Sequence, residues 1–312
     1  MTDTSNHLAV KNFQIEESPI QRLEDPLLDT KKIELHVKRD DLLHPEVSGN
    51  KWRKLKYNLH SVFSNQLKGI ITFGGAFSNH IYSTAAACHL AGIDAIGFIR
   101  GEENIPLNST LAFASDKGMT LNYLSREKYR DKSDPTFLKN LETQYPDYLI
   151  VPEGGANHLG LKGCQELGLQ LQSEADIICC AVGTGNTLAG IINGLQQNQR
   201  AIGISVLKNG GFLNHDIENW LNTTTCPWQL ELNYHFGGYA KIQKELVSFM
   251  DEFEMKYNIP LEPIYTAKLF FGLFDLIKKD YFPRGTKIVA VHTGGLQGLA
   301  GMATKLASYR HD

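Results

Sequence analysis

The sequence predicts an α/β protein built on open parallel sheets with helices on both faces, and three observations carry that prediction. Short apolar runs alternate with helix-like segments along most of the 312 residues. The runs are apolar at consecutive positions, as in DIICCAV at 176–182, instead of alternating polar with apolar. Strands covered on both sides by helices have this pattern. Twenty-eight glycines suit the many tight strand-to-helix turns such a chain needs.

In chain order the predicted strands are 33–38, 69–73, 94–99, 120–124, 149–151, 176–182, 201–206 and 287–292. Each is short, apolar and bounded by turn residues. The predicted helices include 51–66, 78–91, 109–117, 159–173, 186–195 and 267–279. Segment 214–234 is polar, holds two tryptophans and lacks periodicity, so it is expected to be a loop or irregular insertion. A chain of this length suggests two domains or one large α/β unit.

Composition excludes several classes. Net charge is −3 with both signs interspersed, which gives no footprint for nucleic acid or an acidic membrane surface. No apolar run approaches the roughly 20 residues of a membrane-spanning helix. The N-terminal MTDTSNHLAVKNFQIEESPI has no basic-then-apolar leader, so a cytoplasmic location is expected. The five cysteines, Cys88, Cys164, Cys179, Cys180 and Cys226, are odd in number and show no C-x-x-C spacing. Reduced core cysteines are therefore expected. The 11 histidines lack ligand spacing, and no catalytic metal is expected.

Three glycine-containing segments carry chemistry. In Ser48-Gly49-Asn50-Lys51-Trp52-Arg53-Lys54 a lysine follows a Gly-Asn turn, where its amine can form a Schiff base with a carbonyl compound. The plainer reading is a solvated basic helix, since Lys54 and Lys56 follow. GGAFSNH at 74–80 ends a predicted strand and opens a helix, whose unpaired N–H groups can bind a carboxylate. Ser78 or Asn79 could equally serve only as the helix cap. Gly183-Thr184-Gly185-Asn186-Thr187 joins a strand to a helix without the Walker or GxGxxG pattern. Consecutive N–H donors and two threonine hydroxyls there suit a phosphate dianion. Together the segments point to pyridoxal 5′-phosphate carried by Lys51.

VKRDDLLHPEVSGNKWRKL, GGAFSNH, PEGGANHLG, AVGTGNT and HTGG stand in the order and spacing of the D-cysteine desulfhydrase and 1-aminocyclopropane-1-carboxylate deaminase family. The chain resembles that family from about Phe13 to its C-terminus. The resemblance implies a tryptophan-synthase-β-like architecture with two domains. Residues 1–51 and 156–312 would form the larger, cofactor-binding domain, and 52–155 a smaller inserted one. It implies that Lys51 binds the cofactor and moves protons at the substrate α-carbon, with Asn50 beside it. The position of Asn79 implies contact with the cofactor ring oxygen. Ser78, Asn79 and His80 are implied substrate contacts, Ser78 either binding the carboxylate or acting at the reacting carbon. The loop of Gly183, Thr184, Gly185, Asn186 and Thr187 would hold the phosphate. Tyr239 and Tyr265 fall where the family places active-site tyrosines, with Tyr239 toward substrate and Tyr265 toward both cofactor and chemistry. Singly, each tyrosine could be an ordinary packing residue.

Two departures bear on substrate. Phe77 replaces a frequent glutamine, removing a polar contact, and Ser48 replaces a frequent glycine. In the deaminase branch an acid follows the tyrosine matching Tyr265, whereas this chain has Thr266. In the desulfhydrase branch a threonine precedes the late Gly-Gly pair, as Thr293 does here. A carboxylate facing the pyridine nitrogen would keep it protonated, and a hydroxyl cannot do this comparably. Thr293 is thus the expected ring-nitrogen partner. The expected activity is α,β-elimination from a small amino acid, with D-cysteine first. Aminocyclopropane-carboxylate deamination, action on another D-amino acid, or cofactor binding without turnover are the alternatives. The resemblance also implies a homodimer.

Overall fold

The computed structural model describes residue 13 and residues 15–103, 105–223 and 225–310. The N-terminal stretch that lacks a leader pattern lies, up to residue 12, outside the described residues. The strands are β1 (Ile20–Arg22), β2 (Glu34–Lys38), β3 (Gly69–Gly75), β4 (Asp94–Arg100), β5 (Thr120–Leu124), β6 (Tyr148–Val151), β7 (Ile177–Val182), β8 (Arg200–Ser205), β9 (Trp228–Glu231) and β10 (Lys287–Val291). The helices are α1 (Pro26–Lys31), α2 (Gly49–Ser64), α3 (Asn79–Ala91), α4 (Ser109–Asp116), α5 (Pro135–Gln144), α6 (His158–Gln170), α7 (Asn186–Gly194), α8 (Leu213–Glu218), α9 (Lys244–Tyr257), α10 (Thr266–Lys278) and α11 (Ala303–Arg310). No helix among the described residues is long and apolar enough to cross a membrane.

The chain forms two compact units, Met1–Glu16 with His44–Gly163, and Glu17–Leu43 with Cys164–Asp312. The sequence reading placed the divisions at 51 and 155. The first of these falls inside α2, which runs unbroken from Gly49 to Ser64, so Lys51 and the rest of its helix stay in one unit.

In the first unit the sheet order is β5-β4-β3-β6, all parallel. Ile71, Phe73, Ile96 and Phe98 pack beneath it with Tyr129 and Leu141. In the second unit the order is β1-β2-β10-β7-β8-β9. Its core joins strand residues such as Leu35, Val37, Ile202 and Ile288 to Leu269 and Phe270 of α10. Two glycines let α6 and α7 touch backbone to backbone. A Cβ at Gly168 would lie 2.2 Å from the Ile191 carbonyl oxygen, and one at Gly194 would lie 2.3 Å from that of Gln165. All five cysteines are buried and none forms a disulfide.

The second sheet departs from the prediction at both edges. β1 pairs antiparallel with β2, so this sheet is not wholly parallel. Segment 214–234, expected to be a loop, holds most of α8 and the parallel edge strand β9. Edge position explains the misreading, because Trp228–Glu231 is only half-buried throughout and carries no apolar run.

Candidate active site

Lys51 lies in the first turn of α2, two residues after Gly49, whose φ of +62° is readily adopted by glycine alone. Asn50 and Lys51 are both half-buried. The solvated-helix reading fails one turn on. Lys54 is 1% exposed, and its Nζ donates to the Gly154 carbonyl at 3.1 Å. Asn58 and Asn157 exchange amide hydrogen bonds of 3.3 and 2.8 Å, and Asn58 Nδ2 also donates to the Lys54 carbonyl. The PEGGANH segment therefore clamps the lysine helix.

The turn after β3 needs glycine, since a Cβ at Gly74 would lie 2.5 Å from Ile81 and 2.8 Å from Ser78. Ser78 caps α3, its Oγ accepting from the N–H groups of His80 and Ile81 at 3.2 and 3.3 Å. Its own O–H remains a donor. Asn79 is the first helical residue, and Phe77 beside it is 54% exposed.

His80 is buried, with its Nε2 2.8 Å from the Thr72 hydroxyl. That hydroxyl gives its single proton to the Val151 carbonyl at 2.8 Å. Nε2 must therefore be the protonated ring nitrogen, which leaves Nδ1 as a buried acceptor with no hydrogen-bond partner. Burial, and after it the ammonium groups of Lys51 and Lys54, hold the ring well below its ordinary range, so it is neutral. The implied substrate contact at His80 is thus a group already tied to the sheet by one nitrogen. Gly155 packs on it, for a Cβ there would meet Lys54 Cβ at 3.2 Å and His80 Cε1 at 3.3 Å.

In the second unit β7 and β10 are parallel neighbours, so their C-terminal ends lie side by side. The loop of Gly183, Thr184 and Gly185 leaves one, and Thr293, which is buried, follows the other. Ligands of open α/β sheets bind at such strand ends. Gly185 has φ +78° and is the N-cap of α7, so it offers no capping side chain. Asn186 and Thr187 are buried in the first turn, and Thr184 is exposed. Cβ atoms would press on Tyr265 Cε1 at 3.0 Å from Gly183 and on Ile217 Cγ1 at 2.7 Å from Gly185. A glycine cradle before a helix that lacks a side-chain cap fits the phosphate of pyridoxal phosphate. Within the first unit, Lys51 at the start of α2 and Ser78 at the start of α3 are of the types that an aldehyde and an amino-acid carboxylate require.

Tyr265 is the residue before α10, and the rings of Tyr239 and Tyr265 meet edge to face at 6.0 Å. The structure thus brings Tyr239, Tyr265 and Gly183 together. Sequence reasoning missed Glu262. This buried carboxylate accepts from the N–H groups of Ile264, Tyr265 and Thr266 at 2.8, 2.7 and 2.6 Å, capping α10. Burial raises its pKa, opposed by those hydrogen bonds. The Thr266 hydroxyl is engaged with the same residue, accepting from the Glu262 N–H at 2.9 Å and facing its carbonyl at 3.2 Å. His292, before Thr293, is fully buried between the Pro260 carbonyl at 2.8 Å and Asp41 at 3.4 Å. Burial lowers its pKa while Asp41 opposes the shift.

Known proteins match this chain along nearly its whole length. A protein of Pyrococcus furiosus named "Putative 1-aminocyclopropane-1-carboxylate deaminase" is 33% identical, with 94% of each chain covered. The "Bifunctional D-cysteine desulfhydrase/1-aminocyclopropane-1-carboxylate deaminase, mitochondrial" of Arabidopsis thaliana is 28% identical over 93% of this chain and 79% of its own. A crystal structure titled as the ACC deaminase homologue superposes with a TM-score of 0.81 at 28% identity, covering 99% of this chain and 100% of the other. The model of the family described as pyridoxal-phosphate dependent enzyme matches residues 12–294. The chain therefore belongs to the pyridoxal-phosphate dependent enzymes.

Proposed function

We propose that this enzyme deaminates a small α-amino acid to a 2-oxo acid and ammonia, with 1-aminocyclopropane-1-carboxylate as the first substrate. The observation that carries the reading is the glycine cradle at the start of α7, which has no side-chain cap, in a chain that also offers Lys51 in the first turn of α2. The names of the relatives support this substrate, which reverses the order expected from the sequence alone.

Bound pyridoxal phosphate supplies an electron sink for charge developing at the substrate α-carbon. Lys51 would hold the cofactor covalently, and its released amine would move protons at the substrate carbons. The first-turn N–H groups of α7, with Thr184 and Thr187, would bind the phosphate. Asn50 and Asn79 would orient the cofactor, Asn79 at its ring oxygen. Ser78 would donate to the substrate carboxylate, with Asn79 and His80 beside it. Tyr239 and Tyr265 would bound the substrate, and Tyr265 would also contact the cofactor ring.

A second reading, D-cysteine to pyruvate, sulfide and ammonia, is favoured by one observation. The acid that the deaminase branch places after the tyrosine is Thr266 here, and its hydroxyl is occupied by Glu262. The Glu262 carboxylate is itself taken up by three backbone N–H groups. Thr293 then stands as the ring-nitrogen partner, which suits β-elimination better than ring opening.

A panel of aminocyclopropane carboxylate, D-cysteine, L-cysteine and D-serine, with cofactor added, tests both. 2-Oxobutanoate from the cyclopropane supports the first reading, and pyruvate with sulfide from D-cysteine alone supports the second. No keto acid from any of them overturns both. Sizing by light scattering tests the homodimer that the family resemblance implies.

A further inference from the structure

Residues 235–241, His-Phe-Gly-Gly-Tyr-Ala-Lys, carry Tyr239 on an unusual backbone. Phe236, Gly237, Gly238 and Ala240 have φ of +51°, +91°, +118° and +54°. Two of these are not glycine, and such conformations persist only where the surroundings hold them. Within the turn, the Gly238 N–H donates to the His235 carbonyl at 3.0 Å and the Gly237 N–H to His235 Nδ1 at 2.9 Å.

The external hold comes from α10. Lys268, one turn after Tyr265, is 0% exposed, and its Nζ donates to the Gly238 carbonyl at 2.8 Å. A long cationic side chain is rarely enclosed to this degree, because burying the charge is costly. Burial brings its pKa down to about 8, with the Glu262 carboxylate acting against the shift and Lys305 with it. Lys305 of α11 also reaches the turn, 3.5 Å from the Ala240 carbonyl. Phe236 packs edge to face on Phe271 at 4.8 Å, so α10 grips the turn by an apolar contact as well.

We propose that Lys268 is a positioning residue for substrate binding, its enclosed amine holding the 235–241 turn so that Tyr239 stands against Tyr265. The same helix thus sets both tyrosines, one by its start and one by a lysine a turn later. This rests on the reading of Tyr239 as a substrate contact.

The test compares Lys268→Met, which removes the donor, with Lys268→Gln, which keeps a neutral one, in cofactor-loaded enzyme. Lys241 is exposed and offers trypsin a site within the turn. Nicking after Lys241 should quicken about tenfold in the Met variant and less in the Gln variant. With the substrate found in the panel, KM should rise about tenfold in Lys268→Met while kcat changes less. Adding Lys268→Met to Tyr239→Ala should then raise KM no further, since both act through one ring. Unchanged nicking in both variants overturns the proposal, as does a Lys268→Met effect on KM that persists in full beside Tyr239→Ala. If Tyr239→Ala leaves KM unchanged while nicking quickens, the substrate role of Tyr239 falls and the tether stands. Should the Met variant not fold, the Gln variant carries the same comparisons.

Discussion

Helices α3 and α7 both begin where a parallel strand ends in a glycine turn, yet their first turns are finished differently. At α3 the Ser78 side chain accepts two of the N–H groups that a helix start leaves over. At α7 the cap is Gly185, which has no side chain to give. The difference teaches where an anion goes. The start of α3 is partly satisfied by its own cap and presents side chains to chemistry, whereas that of α7 is suited to an outside acceptor such as phosphate.

Removing the proposed covalent anchor sharpens this contrast most. Lys51→Ala should abolish the visible absorbance of lysine-bound cofactor and lower turnover by about a thousandfold or more. Absorbance spectra and keto acid release check this, and wild-type turnover in the variant would sink the assignment. Next come substitutions at α7. Gly185→Ala places a Cβ 2.7 Å from Ile217 on a left-handed backbone, and should weaken cofactor binding about a hundredfold in a titration of apoprotein. Thr187→Val should weaken it about tenfold.

Ser78→Ala breaks the comparison if the two helix starts are in fact equivalent. Loss of the cap should lower stability by about 1 kcal/mol in denaturant titrations and depress turnover, with cofactor affinity nearly unchanged. A fall in affinity matching that of Gly185→Ala would mean that both starts bind the phosphate. The smallest effect concerns pH. His80 titrates lower in the folded protein than in the unfolded chain, so as pH falls the unfolded chain takes up its proton first. Its contribution is fully present above about pH 6.5 and is lost progressively below that. Thermal melts at pH 7.5 and 5.5 should therefore show a smaller loss for His80→Asn than for wild type.

Strands and helices were legible to within a residue or two where they were long and apolar, as at β7, predicted at 176–182 and found at Ile177–Val182. The half-buried edge strand β9 carried no such signal. The glycine loops were legible because glycine marks backbone that other residues resist. Which polar groups are enclosed was not. Lys54 reads as part of a solvated basic helix, and nothing local reveals that it or Lys268 meets a carbonyl far along the chain. Glu262 was missed because its cap forms across a proline and an irregular turn, where no periodic pattern exists. The tautomer of His80 depends on Thr72 and Val151, and its neutral state on burial, both of which only folding brings to it.

The backbone contact of α6 with α7 at Gly168 and Gly194 has a kinetic meaning. Two helices that close cannot slide or rock without a clash, so α7 is fixed when the sheet folds. At the proposed site a phosphate would meet donors already in place, and little ordering would remain to be done on arrival. Cofactor capture by the apoprotein should then be governed by encounter and by the chemistry at Lys51, with amide exchange along α7 nearly the same before and after.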